Sequence, residues 1–127
     1  MAEHVSILHP NDTTFFDEDT LNALSRDLGP NVAENILCRA LEDLATRFSR
    51  IRDQYGAGDE RALRKTVRSV IPIAKQVGLP DLAMICDDVL ICLDRREGVA
   101  IAATLCRLLR SGEYAMSCAD FGIDLSV

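Results

Sequence analysis

Apolar residues recur every three to four positions through most of this 127-residue chain, and Gly or Pro breaks the rhythm at short intervals. Such spacing puts apolar side chains on one side of a helix, and no stretch alternates with period two for long enough to make a strand. The longest periodic run is Val32, Ile36, Leu37, Ala40, Leu41, Leu44, Ala45, Phe48, Ile51 and Tyr55, which keeps one face until Gly56-Ala57-Gly58 ends it. Before it, Asp17 or Asp19 caps a short helix through about Asp27, with Leu21, Leu24 and Leu28 on one side and Gly29-Pro30 as the stop. After it, Asp59 caps a helix with Ala62, Leu63, Thr66, Val67, Val70, Ile73, Ala74 and Val77 on its inner side. The turn Gly78-Leu79-Pro80-Asp81 leads into a fourth segment carrying Leu82, Ile85, Cys86, Val89, Leu90 and Leu93. Beyond Arg95-Arg96-Glu97-Gly98, a last helix places Ile101, Ala102, Leu105, Leu108 and Leu109 inward and runs to about Ser111-Gly112 or slightly beyond. The expected fold is all-α: an antiparallel up-down-up-down four-helix bundle with a short additional N-terminal helix. Residues 1–14 and 114–127 read as tails around a bundle over 15–113.

The helix after Asp59 has a basic outer face. Arg61, Arg64, Lys65, Arg68, Lys75 and Gln76 fall opposite its apolar side, on a chain whose formal net charge is −6. That overall charge argues against a nucleic-acid binder, because affinity for a phosphate backbone comes chiefly from Lys and Arg neutralising it. A local basic stripe on an acidic body suits an acidic protein surface; a solvated face with no partner is the plain alternative. The five cysteines fall mostly in apolar periodic runs, which with the absence of a signal-peptide pattern predicts reduced thiols and a cytoplasmic chain. No apolar run approaches the ~20 residues that span a bilayer, so no membrane segment is expected.

Reactive constellations are sparse. The two histidines, His4 and His9, precede every periodic segment, so no helix of the body presents an imidazole. Cys86 and Cys92 are six apart on different faces of one helix with no histidine near, which predicts no metal site and no cofactor. The pairs Glu42-Asp43 and Asp87-Asp88 are adjacent on helices, so their carboxylates diverge by about 100° and do not converge on one substrate atom. Met84 and Ile91, seven apart and opposite the apolar stripe of their helix, are either covered by the C-terminal tail, simple surface residues, or a contact for a homodimer or partner. Phe15-Phe16 either staples the first helix onto the body or joins a docking surface.

The punctuation of this pattern resembles the histidine-containing phosphotransfer domain, the HPt module of bacterial phosphorelays. The likeness covers about residues 15–112. It rests on Phe16, Asp17, Leu21, Leu24 and Leu28-Gly29, on Leu41-Glu42-Asp43-Leu44 in the long helix, on Gly58-Asp59 and Leu63, and on Gly78, Leu82 and Cys86. The family's central motif reads His-x-Leu-Lys-Gly-x-Ala; here the aligned residues are Arg68-Ser69-Val70-Ile71-Pro72-Ile73-Ala74. Arg68 stands at the position of the phospho-accepting histidine. A relay needs a nitrogen that is unprotonated near neutral pH, and a guanidinium with pKa above about 12 stays cationic. Ile71 replaces the lysine that the family sets beside the phosphoryl group, and Pro72 replaces the glycine that admits a partner's backbone. Pro72 also predicts a bend or a broken hydrogen bond between Arg68 and Pro72.

The resemblance therefore implies a degenerate member: no enzyme and no phosphate carrier, but a binding module for a receiver domain or a histidine kinase. In the family the face around the histidine docks over the receiver's acidic phosphorylation pocket. The expected partner-binding residues are Arg61, Arg64, Lys65, Arg68, Lys75 and Gln76, with Arg68 entering the pocket. Two other functions stand beside it: an active phosphotransfer protein that uses a non-standard residue, and an oligomerisation bundle unrelated to phosphorelays.

Overall fold

The computed structural model describes residues 16–120, with side chains described through Ser117. The expected tail 1–14, with His4, His9 and Phe15, lies outside the described residues, as does 121–127. The described residues form five helices and no strand: α1 (Glu18–Leu28), α2 (Pro30–Ala57), α3 (Glu60–Gln76), α4 (Pro80–Arg95) and α5 (Gly98–Asp120).

Each boundary has a local cause. Asp17 caps α1, its Oδ1 accepting from the Asp19 N–H at 3.2 Å and its Oδ2 from the Thr20 hydroxyl at 2.7 Å. Gly29 is the whole link to α2; its φ of 87° turns the chain in a region that side chains disfavour, and Pro30 then starts α2 at a position that needs no N–H. Asp59 caps α3 by accepting from the Ala62 N–H at 3.2 Å. The link from α3 to α4 is Val77-Gly78-Leu79, and that from α4 to α5 is Arg96-Glu97.

Helices adjacent in sequence pack together, and α2 also meets α5, an arrangement compatible with a helical bundle. The core includes Leu44 and Ile51 of α2, Val67 and Val70 of α3, Leu82 and Val89 of α4, and Leu108 of α5, all fully buried. Phe16 and Leu21 belong to one apolar cluster; they stand one residue before the cap and at the fourth helical position, the spacing of a hydrophobic staple.

Two differences from the periodic reading are informative. Ala45, Val32 and Tyr55 were expected inward but are exposed. At 100° per residue, Ala45 and Val32 lie about 100° and 120° from the buried Leu44, so the covered arc of α2 is narrower than its apolar set. Tyr55 is on the right side, but in the last turn. The second difference is α5, which continues to Asp120, about two turns past the expected end at or slightly beyond Ser111-Gly112. Gly112 does not cap it: the residue is buried, and a Cβ there would stand 2.7 Å from Cζ and 2.9 Å from Cδ2 of Phe48. Gly112 therefore leaves room for the Phe48 ring of α2 against α5, and Ala115, fully buried, carries the stripe onward.

Candidate partner-binding face

The amphipathic register of α3 fixes its outer face. Leu63, Thr66, Val67, Val70 and Ala74 are buried, which turns Arg61, Lys65, Arg68, Pro72 and Lys75 outward in a row spaced four, three, four and three. That row follows the helix for about 21 Å, given a rise of 1.5 Å per residue. Arg68 stands at its midpoint. Arg61, Lys65, Arg68 and Lys75 are exposed and have no hydrogen-bond or ion-pair partner among the described residues, so the row is a line of free cations. Gln76, also exposed, sits at the end of the row toward α2.

Arg64 is placed differently from its neighbours. Its guanidinium pairs with Glu60 at 3.2 Å and with Asp94 at the end of α4, and its side chain is 26% exposed. The hydrogen bonds it donates to Asp94 first and to Glu60 second push its pKa above the ordinary arginine value. Arg64 thus ties α3 to α4, and its charge is already answered within the chain.

Pro72 interrupts the donors of the row, not the row itself. α3 continues through Pro72 to Gln76, yet proline supplies no N–H to the carbonyl of Arg68 four residues back. The ring is exposed, so no core contact offsets that loss. Ile71, seven residues after Arg64, is half-buried on the side of α3 that faces α4.

The flank toward α2 holds features that the periodicity of either helix alone does not reveal. Arg47 donates to the Ser69 hydroxyl at 2.6 Å and pairs with Asp43 at 2.8 Å, while Ser69 donates to the Thr66 carbonyl at 2.6 Å. Beside this chain, Ile36, Arg39, Ala40, Asp43, Ile73 and Gln76 line a shallow groove of about 250 Å³. The available sequence signal was Arg39, Asp43 and Arg47 at spacings of four along one helix face, a charged ladder on the surface that α2 turns toward α3.

Among the described residues, the other groups singled out by composition lie apart from this face. Cys86 is fully buried, and desolvation, with the Asp87 charge second, pushes its thiol up to about 12. Cys92 is half-buried, and among the described residues no three His, Cys, Asp or Glu side chains are placed to hold a metal ion. Asp88 leans toward Arg107 at 3.7 Å, while its neighbour Asp87 is exposed and has no ion-pair partner among the described residues. Met84 and Ile91 are 59% and 46% exposed. A second cavity, about 170 Å³, opens where the α2–α3 turn meets Leu93 and Ile101, and the Gln54 Oε1 beside it is buried without a hydrogen-bond partner. No helix among the described residues is long and apolar enough to cross a membrane. The chain matches no family model, no curated protein and no solved structure.

Proposed function

We propose that this chain is a non-catalytic, HPt-like signalling module of a bacterial two-component phosphorelay. In this reading α2–α5 form an antiparallel up-down-up-down bundle, α1 covers one end, and the outer face of α3 binds a receiver domain or a histidine kinase in the cytoplasm. The links of two or three residues between the long helices favour antiparallel neighbours. The observation that carries the reading is the line Arg61, Lys65, Arg68 and Lys75, free of internal partners and centred on the residue aligned with the family's histidine.

A fixed cation is what an acidic phosphorylation pocket attracts. Arg68 projects a planar guanidinium able to donate two parallel hydrogen bonds to a carboxylate, flanked by charges that steer the encounter. No transfer follows, since Arg68 has no lone pair to attack an aspartyl phosphate and Ile71 brings no charge to a phosphoryl group. The module occupies the receiver or kinase as a competitor or adaptor.

The test is calorimetric titration with receiver domains and kinases encoded beside the gene. Arg68→Glu is expected to weaken the cognate complex by about 1–3 kcal/mol and to flatten its salt dependence. Wild type is expected to take no acid-labile phosphate from a phosphorylated receiver. Arg68→His alone stays inactive, whereas Arg68→His with Ile71→Lys and Pro72→Gly gains some transfer. Phosphate uptake by wild type, or an Arg68→Glu complex of undiminished affinity, ends this reading.

A further inference from the structure

The cavity of about 170 Å³ at the α2–α3 turn lies away from the cation row and has a chemistry of its own. Its apolar lining is Leu63 of α3, Leu93 of α4 and Ile101 of α5, with Tyr55 and Gln54 of α2 beside them. Leu63 and Leu93 are buried, so this part of the lining belongs to the core and is held in shape by it. A dry apolar void of about 150 Å³ accepts a benzene ring. The space here therefore suits a single ring with a small substituent.

One polar atom of the lining is left without a partner. Asp59 accepts from the Ala62 N–H, and Glu60 is held by Arg64. The main chain of Gln54 is engaged as well, its carbonyl accepting from the Asp59 N–H at 3.0 Å. The side-chain Oε1 of Gln54 is buried and has no hydrogen-bond partner among the described residues. Such an oxygen gives up its bond to water on folding and recovers nothing, so it is an acceptor in want of a donor. The last torsion of a glutamine is broad, and Gln54 lines the cavity, so Oε1 can turn toward a donor placed there. A lone water answers it poorly, because water needs several polar partners and the floor is Leu63, Leu93 and Ile101.

Charge at the rim does not call for an ion. Glu60 and Asp94 share Arg64, and the Asp59 carboxylate is answered by the amides at the positive end of α3. Asp53, Arg61 and Arg95, the neighbouring charges on α2, α3 and α4, are exposed and do not line the cavity. A charged ligand would lose its hydration there without a counter-ion to replace it.

We propose that this cavity binds a small neutral molecule built on one aromatic ring and carrying an O–H or N–H donor. The ring lies on Leu63, Leu93 and Ile101, Tyr55 flanks it at the mouth, and the donor meets Oε1 of Gln54. The site is independent of the phosphorelay reading, since no residue of the α3 cation row lines it.

Phenol and toluene are the probes, alike in size and different in the donor. Each is titrated into the full chain from micromolar to millimolar concentration, followed by methyl-resolved NMR. Phenol should shift the methyl signals of Leu63, Leu93 and Ile101 in a saturable way. Gln54→Leu removes the acceptor and keeps the ring site, so phenol should lose about tenfold or more in affinity while toluene binds as well or better. Position 54 is half-buried on a helix and leucine is a good helix former, so far-UV circular dichroism should find the variant folded. Benzylammonium, which adds a charge to the same ring, should bind more weakly than phenol. The absence of saturable phenol binding to wild type, saturation at other methyl groups, a phenol-to-toluene ratio unchanged by Gln54→Leu, or tighter binding of benzylammonium than of phenol overturns the proposal.

Discussion

Gly112 is the position at which a single methyl group most clearly separates propensity from packing. In a helix interior, Gly→Ala ordinarily stabilises by about 0.5–1 kcal/mol, because alanine has less backbone freedom to lose on folding. At Gly112 the added carbon would stand within 3.0 Å of Cε2, Cζ and Cδ2 of Phe48, whose ring is 6% exposed and enclosed by the core. Overpacking of that kind typically costs about 1–3 kcal/mol, since the ring must leave its rotamer or α5 must move off α2. The balance for Gly112→Ala is a loss of about 0.5–2 kcal/mol. Gly56→Ala, also in a helix but with nothing within 4 Å of the new Cβ, should instead gain a few tenths to about 1 kcal/mol. Urea denaturation followed by circular dichroism reads both as shifts of midpoint at constant slope, in opposite directions. Phe48→Leu removes the ring, so Gly112→Ala should cost less in that background, with a coupling of at least about 0.5 kcal/mol. If Gly112→Ala is as stabilising as Gly56→Ala, the close approach of α5 to α2 at this point is wrong.

Three further outcomes follow from the same contacts. Pro72→Ala restores an N–H to the Arg68 carbonyl and removes no buried side chain, so stability should rise by about 1–3 kcal/mol; an unchanged urea midpoint would mean that the turn already satisfies that carbonyl. Asp59→Ala deletes the cap that receives the Ala62 N–H and should cost about 1 kcal/mol, with Asp59→Asn recovering most of it in thermal melts. Cys86, whose thiol is pushed from 9.0 up to about 12, stays protonated in the folded chain while the unfolded chain ionises, so it is neutral to stability below pH 9. Between pH 9 and about 12 the unfolded state is favoured by up to about 1.4 kcal/mol per pH unit, a slope that Cys86→Ala should lack in urea titrations at stepped pH.

The helices were legible because each is long enough to repeat its pattern and each is bounded by a residue with one plain local role. Asp17 and Asp59 cap, Gly29 and Gly58 take positive φ, and Pro30 and Pro80 start helices. The last helix runs further than its apolar spacing indicated, because a glycine that stops a helix and a glycine that admits a neighbouring ring look identical in sequence; only Phe48, 64 positions earlier, tells them apart. The cation row of α3 was legible for the same periodic reason, but the state of each cation was not. Arg64 and Arg68 are equivalent by spacing, and Asp94, 30 positions downstream of Arg64, makes the first an internal tie while the second stays free. The groove between α2 and α3 needed the lateral alignment of two helices, which no single helical period encodes.

The way α1 is fastened has a consequence for how the chain opens. Only Leu21 of α1 is buried, and beyond the cluster around it the helix is held by Gly29 at one end and by a 2.6 Å bond from the Asp17 N–H to the Gly78 carbonyl at the other. Gly78 has φ 77°, and its missing Cβ leaves room for Asp17 and Thr20 at 3.0–3.3 Å, so the latch exists only with glycine there. Burying Leu21, with Phe16 and Leu24 half-buried against the core beside it, is worth on the order of a few kcal/mol, less than the rest of the core supplies. α1 is therefore the unit that releases first, in a sub-global opening that leaves the other four helices assembled. Native-state hydrogen exchange would register it as amides of Leu24 and Ser25 exchanging far ahead of those of Val70 and Leu108. Each such opening bares the turn at the foot of α3, next to Lys75 and Gln76, giving one end of the cation row a slow rhythm that its centre at Arg68 does not share.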